Sequence, residues 1–165
     1  SENKIGYFKT ELIKPISPNY FNDKKRTSAI ISLCSLLNSL LPEAQPNKKI
    51  YQLFETFLNN IDLNNWIYLY IFLEINLIKE LGFDTNLRTY AKLINKDEFY
   101  KKIEFDNFKY EVPTFLIKEE IPEKIIEGSI KKSLFFTRSI LLNKFFIPNN
   151  LIFPKSRVIF ENYFN

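Results

Sequence analysis

The stretch Asn65-Trp-Ile-Tyr-Leu-Tyr-Ile-Phe-Leu-Glu-Ile-Asn-Leu-Ile-Lys-Glu-Leu-Gly82 decides the architecture. Apolar side chains occupy it nearly all round, so it has no face to give to water and belongs at the centre of a bundle, with helices on several sides. The spacing predicts a helix capped by Asn64 or Asn65 and running to about Leu81, where Gly82 supplies the left-handed residue that closes a helix. Its most apolar part, Trp66 to Ile78, is interrupted by Glu74 and Asn76. It falls short of the ~20 residues that span a bilayer and reads as a core helix. Glu74 is then a carboxylate removed from water, which requires a cationic or hydrogen-bonding partner. Arg138 and Arg157 are the candidates.

On the N-terminal side, Asn22 or Asp23 can cap a helix in which Ala29, Ile30, Leu33, Leu36, Leu37, Leu40 and Leu41 recur at helical spacing until Pro42. The loop Pro42 to Asn47 turns the chain, and Ile50, Leu53, Phe54, Phe57, Leu58 and Ile61 mark a second amphipathic helix, so the two form a helical hairpin. Beyond the core helix, residues 84–113 lose helical period. Tyr100 to Ile103 and Phe105 to Val112 are β-prone, with Asp106-Asn107 as the turn, which predicts a small hairpin or irregular insert. After Pro122 a long helical stretch is expected to reach Phe146, broken only by Gly128. A last helix starts with Pro154 in its first turn and ends near Tyr163. Ahead of everything, Gly6 to Ile13 alternates apolar and polar residues before Pro15 and Pro18, the pattern of a single strand, which must find a partner elsewhere because one strand is not stable alone. The expected fold is mostly α, a helical bundle with one N-terminal strand and a small β insert.

The composition narrows the chemistry. With 165 residues, 45% apolar and 25% charged, the chain suits one domain with a sizeable core. Twenty-three Lys and Arg against nineteen Asp and Glu leave a net charge of +4, too weak to diagnose nucleic-acid binding. No histidine and one cysteine remove Ser-His and Cys-His pairs, His-containing zinc sites and intrachain disulfides, which argues against a hydrolase or metalloenzyme. Cys34 sits among leucines without a histidine to activate it and reads as core. Glu119, Glu120 and Glu123 fall at the start of the long helical stretch, where carboxylates favour the positive end of the dipole. The absence of methionine leads to the expectation that the chain is a fragment whose Ser1 follows a removed or engineered leader. Ser1 to Pro18 is charged throughout and unlike a signal peptide, so a cytoplasmic location is expected, with no membrane contact.

Two constellations stand out for binding. Between Gly128 and Phe160 there are six cations, Lys131, Lys132, Arg138, Lys144, Lys155 and Arg157, and no acid. They either line a groove for phosphates or an acidic peptide, or form a solvated face in which one or two arginines pair buried acids such as Glu74. The helical hairpin is the second. Its loop ends in Lys48 and Lys49, near Leu36, Leu37, Leu40, Tyr51 and Phe54. These side chains are either core or the wall of a shallow pocket with a cationic rim, suited to a short acidic peptide with an apolar end.

Four strings carry a resemblance: Ile30 to Pro46; Leu73 to Phe83 (Leu-Glu-Ile-Asn-Leu-Ile-Lys-Glu-Leu-Gly-Phe); Val112 to Leu116 (Val-Pro-Thr-Phe-Leu); and Phe136-Thr137-Arg138 with Pro154-Lys155-Ser156-Arg157 and Phe160. Their colinear order resembles the C-terminal helical domain of the RecO recombination mediators, alphaproteobacterial branch, with Leu73–Phe83 the most specific match. The resemblance implies an N-terminal OB-fold before the helical domain. Residues 1–20 would then be a remnant OB strand and linker, and 21–165 the helical domain, with the insert at 84–113. Many of the family carry a cysteine zinc site after the Leu-Gly-Phe string. Here Tyr90 stands about where the first cysteine would fall, so no metal is expected, and no cofactor is implied.

The function so implied is non-enzymatic: a mediator of DNA repair and homologous recombination in the RecF pathway, acting on single-stranded DNA. It would bind the acidic, Pro-Phe-ending tail of single-stranded-DNA-binding protein, DNA and RecR, and so promote strand annealing and RecA loading. Lys48 and Lys49 would provide the cationic rim for the tail, with Leu36, Leu37, Leu40, Tyr51 and Phe54 as the apolar wall. Lys131, Lys132, Arg138, Lys144, Lys155 and Arg157 would extend the DNA path. The alternative is a helical protein-interaction scaffold without DNA binding.

Overall fold

A computed structural model describes residues 15–165 other than 44, 96, 97, 106, 107 and 127. The expected strand at Gly6 to Ile13 and the turn at Asp106-Asn107 lie outside the described residues. A turn of 3-10 helix, Ser17–Tyr20, leads into helix α1, Lys24–Leu40. The Asp23 carboxylate accepts the Arg26 backbone N–H at 3.0 Å and its guanidinium at 2.5 Å, which satisfies an otherwise orphaned donor of the first turn. Leu41 leaves the helix in an extended conformation, as the residue before a proline must. Helix α2, Lys48–Asn59, is capped by Asn47, whose side chain accepts from the Ile50 N–H at 3.0 Å.

Helix α3, Trp66–Glu80, is the centre of the molecule, with nine buried residues. Its end is a Schellman motif: the Phe83 N–H donates to the Ile78 carbonyl and the Gly82 N–H to the Lys79 carbonyl, while Gly82 sits at φ +92°. Its start differs from expectation, because Asn65 makes no cap and instead donates its side-chain amide to the Pro122 carbonyl at 3.2 Å.

The insert contains a 3-10 segment, Leu87–Leu93, and an antiparallel pair, β1 (Tyr100–Phe105) and β2 (Phe108–Pro113). Ile103 pairs with Tyr110, and these two with Val112 are buried, so one side of the ribbon faces the core. A short helix α4, Thr114–Lys118, follows and ends at Glu119 in the left-handed region. Helix α5, Ser129–Leu141, continues through a π-helical turn, Leu142–Phe146, and helix α6, Lys155–Asn162, closes the chain after Pro154. Helices α2 and α5 pack on α3, α6 packs on α1, and β2 packs on α5. Among the described residues no helix is long and apolar enough to cross a membrane.

Three expectations are corrected. The segment from Pro122 is not helical until Ser129. The Tyr68 hydroxyl on α3 accepts the Ile126 N–H at 3.0 Å, and Asn65, just before α3, takes the Pro122 carbonyl, so these two side chains satisfy backbone groups that a helix would have paired internally. Glu119, Glu120 and Glu123 consequently follow a short helix rather than begin a long one, and Glu119 pairs with Arg88. Cys34 is exposed, not core. The buried face of α1 runs through Ala29, Ile30, Leu33 and Leu36, and the inward polar position is Ser32.

Gly82→Ala tests the helix-closing geometry. A Cβ there meets nothing within 4 Å among the described residues, so the cost is backbone strain at positive φ. It should lower stability by about 1 kcal/mol, read as a lower urea midpoint with an unchanged m-value; an unchanged midpoint would contradict the closure described.

Candidate functional site

The most constrained polar cluster lies at the crossing of four helices. Glu74 on α3 is fully buried. Arg157 on α6 donates to it through Nε (to Oε1, 2.5 Å) and Nη2 (to Oε2, 3.1 Å), in the bidentate geometry that suits a guanidinium and a carboxylate. Thr137 on α5 donates to Oε2 at 2.6 Å and the Tyr70 hydroxyl to Oε1 at 2.9 Å. Ser32 on α1 meets Tyr70 at 2.7 Å. Arg157 also donates to Glu161 at 3.0 Å and to the Leu134 carbonyl at 3.0 Å. Burial, and after it the Glu74 charge, push the Tyr70 hydroxyl well above its usual range, so it stays a donor. For Arg157, burial works against the charge, but Glu74 and Glu161 outweigh it and the guanidinium is held ionised.

Each Glu74 oxygen accepts two hydrogen bonds, so the cluster is closed and holds structure rather than substrate. Of the two partner candidates, Arg157 takes Glu74, while Arg138 reaches Glu161 at 3.5 Å. The place of Arg157 among the DNA-path cations is therefore corrected: its side chain has no exposed surface and its charge is spent on two buried acids.

The hairpin residues do not converge on one pocket. Leu36 is buried in the core, Leu37, Leu40 and Phe54 are half-buried, and Tyr51 points to solvent with Lys48. The reason is the turn per residue of α2, which sends Phe54 toward Phe57 and the core but Lys49 and Leu53 toward α3. Lys49 and Leu53 instead line a groove of about 480 Å³ whose floor is Leu69, Phe72 and Ile75 of α3 and Leu116 of α4, and whose rim carries Lys79 and Arg88. None of Leu36, Leu37, Leu40, Tyr51 or Phe54 lines it. Lys49 pairs with Glu80 at 2.6 Å, Lys79 with Asp84 at 3.3 Å, and Arg88 with Glu119. The i, i+4 pair Lys49 and Leu53 was the available signal for this groove.

The basic segment divides along its length. Lys131, Lys132 and Arg138 are on α5, Lys144 is in the π-helical turn, and Lys155 opens α6. Lys131 and Lys155 are exposed. Lys132 donates to Glu111 of β2 at 2.6 Å, which with its charge lowers the Glu111 pKa, and it lies 3.7 Å from the centroid of the Tyr100 ring. Lys144 lies over Phe83 at 4.8 Å. Between β2 and α5 a cavity of about 380 Å³ is lined by Lys109, Tyr110, Glu111, Lys131, Lys132, Phe135 and Phe136, with Glu161 and Asn165 at one end. Lys109, Tyr110, Phe135 and Phe136 were not legible as a group, because strand and helix are brought together only by tertiary packing.

The family model described as "Recombination protein O C terminal" matches residues 22–105, just over half of the chain. The chain is similar to the DNA repair protein RecO of Wolbachia sp. subsp. Drosophila simulans (strain wRi), 36% identical over 85 residues, covering 50% of this chain and 35% of that protein. The RecO protein of Ehrlichia chaffeensis is 37% identical over 87 residues, 52% of this chain and 36% of its own length. For Anaplasma marginale (strain Florida) the values are 28% over 94 residues, 56% and 40%. The matched part thus spans little more than a third of the Wolbachia and Ehrlichia proteins. No solved structure matches. The Leu73–Phe83 string falls inside the family match, and the Val112, Phe136 and Pro154 strings fall beyond it.

Arg157→Met alone strands the Glu74 charge and should cost about 3–5 kcal/mol, whereas Glu74→Leu combined with Arg157→Met should cost far less, because no unpaired charge is left between them. Urea denaturation of the four chains of this cycle measures it; additive single effects would show that the two residues do not act together.

Proposed function

The chain belongs to the RecO C-terminal family, and from that premise we propose that it serves DNA repair and homologous recombination by binding and exchange, without catalysis. In this reading it is the helical portion of a mediator that takes single-stranded-DNA-binding protein by its acidic, Pro-Phe-ending tail, engages RecR and single-stranded DNA, and promotes strand annealing and RecA loading.

The observation that carries the partner-binding part is the groove between α2 and α3. An acidic tail with an apolar end needs two things at once, an apolar floor for the ring and cations for the carboxylates. Leu53, Phe72 and Ile75 offer the floor and Lys49, Lys79 and Arg88 the rim. The rim cations rest on Glu80, Asp84 and Glu119 in solvent-exposed pairs, which are worth ~0–1 kcal/mol and exchange readily for a ligand carboxylate. Support for the DNA part is the cationic side of α5, where Lys131 and Arg138 lie seven residues apart and so share a face, with Lys144 and Lys155 beyond it.

A labelled acidic peptide ending in Pro-Phe, with and without its terminal Phe, tests the groove. Lys49→Glu and removal of the Phe should each weaken binding about tenfold, and Glu80→Ala, which frees Lys49, should tighten it. Equal binding across all combinations would exclude the groove as the tail site.

A further inference from the structure

Resting on the DNA part of that reading, we propose that the cavity between β2 and α5 takes an unstacked base of single-stranded DNA, with Phe135 as the stacking face and Lys109 and Lys131 on the flanking phosphates. The aromatic arrangement comes first. Phe135 is 50% exposed at the mouth of the cavity, an aromatic ring left half in water. Behind it Tyr110 packs 6.4 Å from Phe135 and 5.3 Å from Phe136, between ring centroids, so the wall is a braced set of rings. A volume of about 380 Å³ lies within the range of small-ligand clefts, ~300–1,000 Å³.

Charge selects the occupant. Of the cavity's two acids, Glu111 is held by Lys132, and Glu161 by Arg157 and Arg138. Lys109 and Lys131 make no ion pair among the described residues, and they stand on opposite elements, one on β2 and one on α5. On α5, Lys131, Phe135 and Arg138 follow at i, i+4 and i+7, which puts a cation on each side of the exposed ring along one helix face. The Arg138 guanidinium is 5.9 Å from the Phe135 centroid, and its buried Nε has no hydrogen-bond partner among the described residues. A stacking ring between cations is the arrangement by which proteins hold single strands. Because the wall offers rings rather than an array of donors and acceptors, it accepts any base, so recognition is tolerant of sequence.

The test uses the 165-residue chain and a fluorescein-labelled oligothymidylate of about fifteen nucleotides, titrated at several salt concentrations. Phe135→Ala should weaken binding about tenfold at every salt concentration, with the salt slope unchanged. Lys109→Ala and Lys131→Ala should each reduce the slope of log affinity against log salt by about 0.7. Phe135→Trp should retain affinity, and the oligonucleotide should quench the indole emission that this substitution adds. This arm, with the two lysine variants, also covers the case in which Phe135→Ala fails to fold. If the strand binds but neither Phe135 variant changes affinity or emission, the base site is wrong while the wider DNA reading stands. No binding by the unmodified chain even at low salt would remove both. Thymidine monophosphate binding as tightly as the oligonucleotide, or duplex binding with the same Phe135 dependence, would also overturn the single-strand assignment.

Discussion

A carboxylate buried in a bundle has to be matched where it stands, and this molecule is organised round that requirement. Moving one such ion out of water costs several kcal/mol even after the surroundings relax, and only close, fully hydrogen-bonded partners recover it. Glu74 obtains them from three helices, with Tyr70 from its own helix, Thr137 from α5 and Arg157 from α6, and Ser32 of α1 backs Tyr70. Hydrophobic packing tolerates small shifts of one helix against another, but a two-pronged guanidinium contact does not. The pair therefore fixes the relative positions of α3, α5 and α6 more sharply than the surrounding leucines and phenylalanines.

That contact also joins two stretches of different standing. Glu74 lies within the part of the chain matched by the RecO C-terminal family, and Arg157 lies 52 residues past the end of that match. The two are brought together by burial, so the C-terminal helices complete the core begun by the matched segment. The insert is tied in by a different means: β2 lays Tyr110 against Phe135 and Phe136, and Lys132 reaches back to Glu111. Both faces of α5 are thus occupied to different ends, one closing the buried cluster and the other carrying exposed cations beside the ribbon.

The fate of the six C-terminal cations illustrates why a charge count is an ambiguous signal. Arg157 is internal, Lys132 and Arg138 are committed in part to acids, Lys144 lies over an aromatic ring, and Lys131 and Lys155 are exposed. Of the two readings that the sequence leaves open, the pairing of buried acids holds for Arg157, and the proposed phosphate-facing surface draws on the exposed members of the same group. Formal charge is identical in all six; the local dielectric and the nearest carboxylate distinguish them.

What could be read from residues alone was local. Periodicity located α1, α2 and α3, Pro42 and Gly82 marked two helix ends, and the β-prone runs Tyr100 to Ile103 and Phe105 to Val112 located the ribbon, because those signals are written within a few residues of where they act. Glu74 could be recognised as a buried acid because its helix is apolar on every side. Tertiary packing settled the rest. Ser32 faces inward and Cys34 outward because α1 packs through Ala29, Ile30, Leu33 and Leu36, which carries Ser32 to the Tyr70 hydroxyl and turns Cys34 away. The described residues between Pro122 and Ser129 stay non-helical because Tyr68 and Asn65, about 57 residues earlier, take backbone groups of this segment. Lys49 and Leu53 share a groove with Phe72, and Phe135 meets Tyr110, only because separate elements lie side by side. A helical period states that a residue has a buried or an open face. Which distant side chain it will meet depends on how whole elements pack, since a hydrogen bond or a groove wall is a relation between positions that the chain order does not place together.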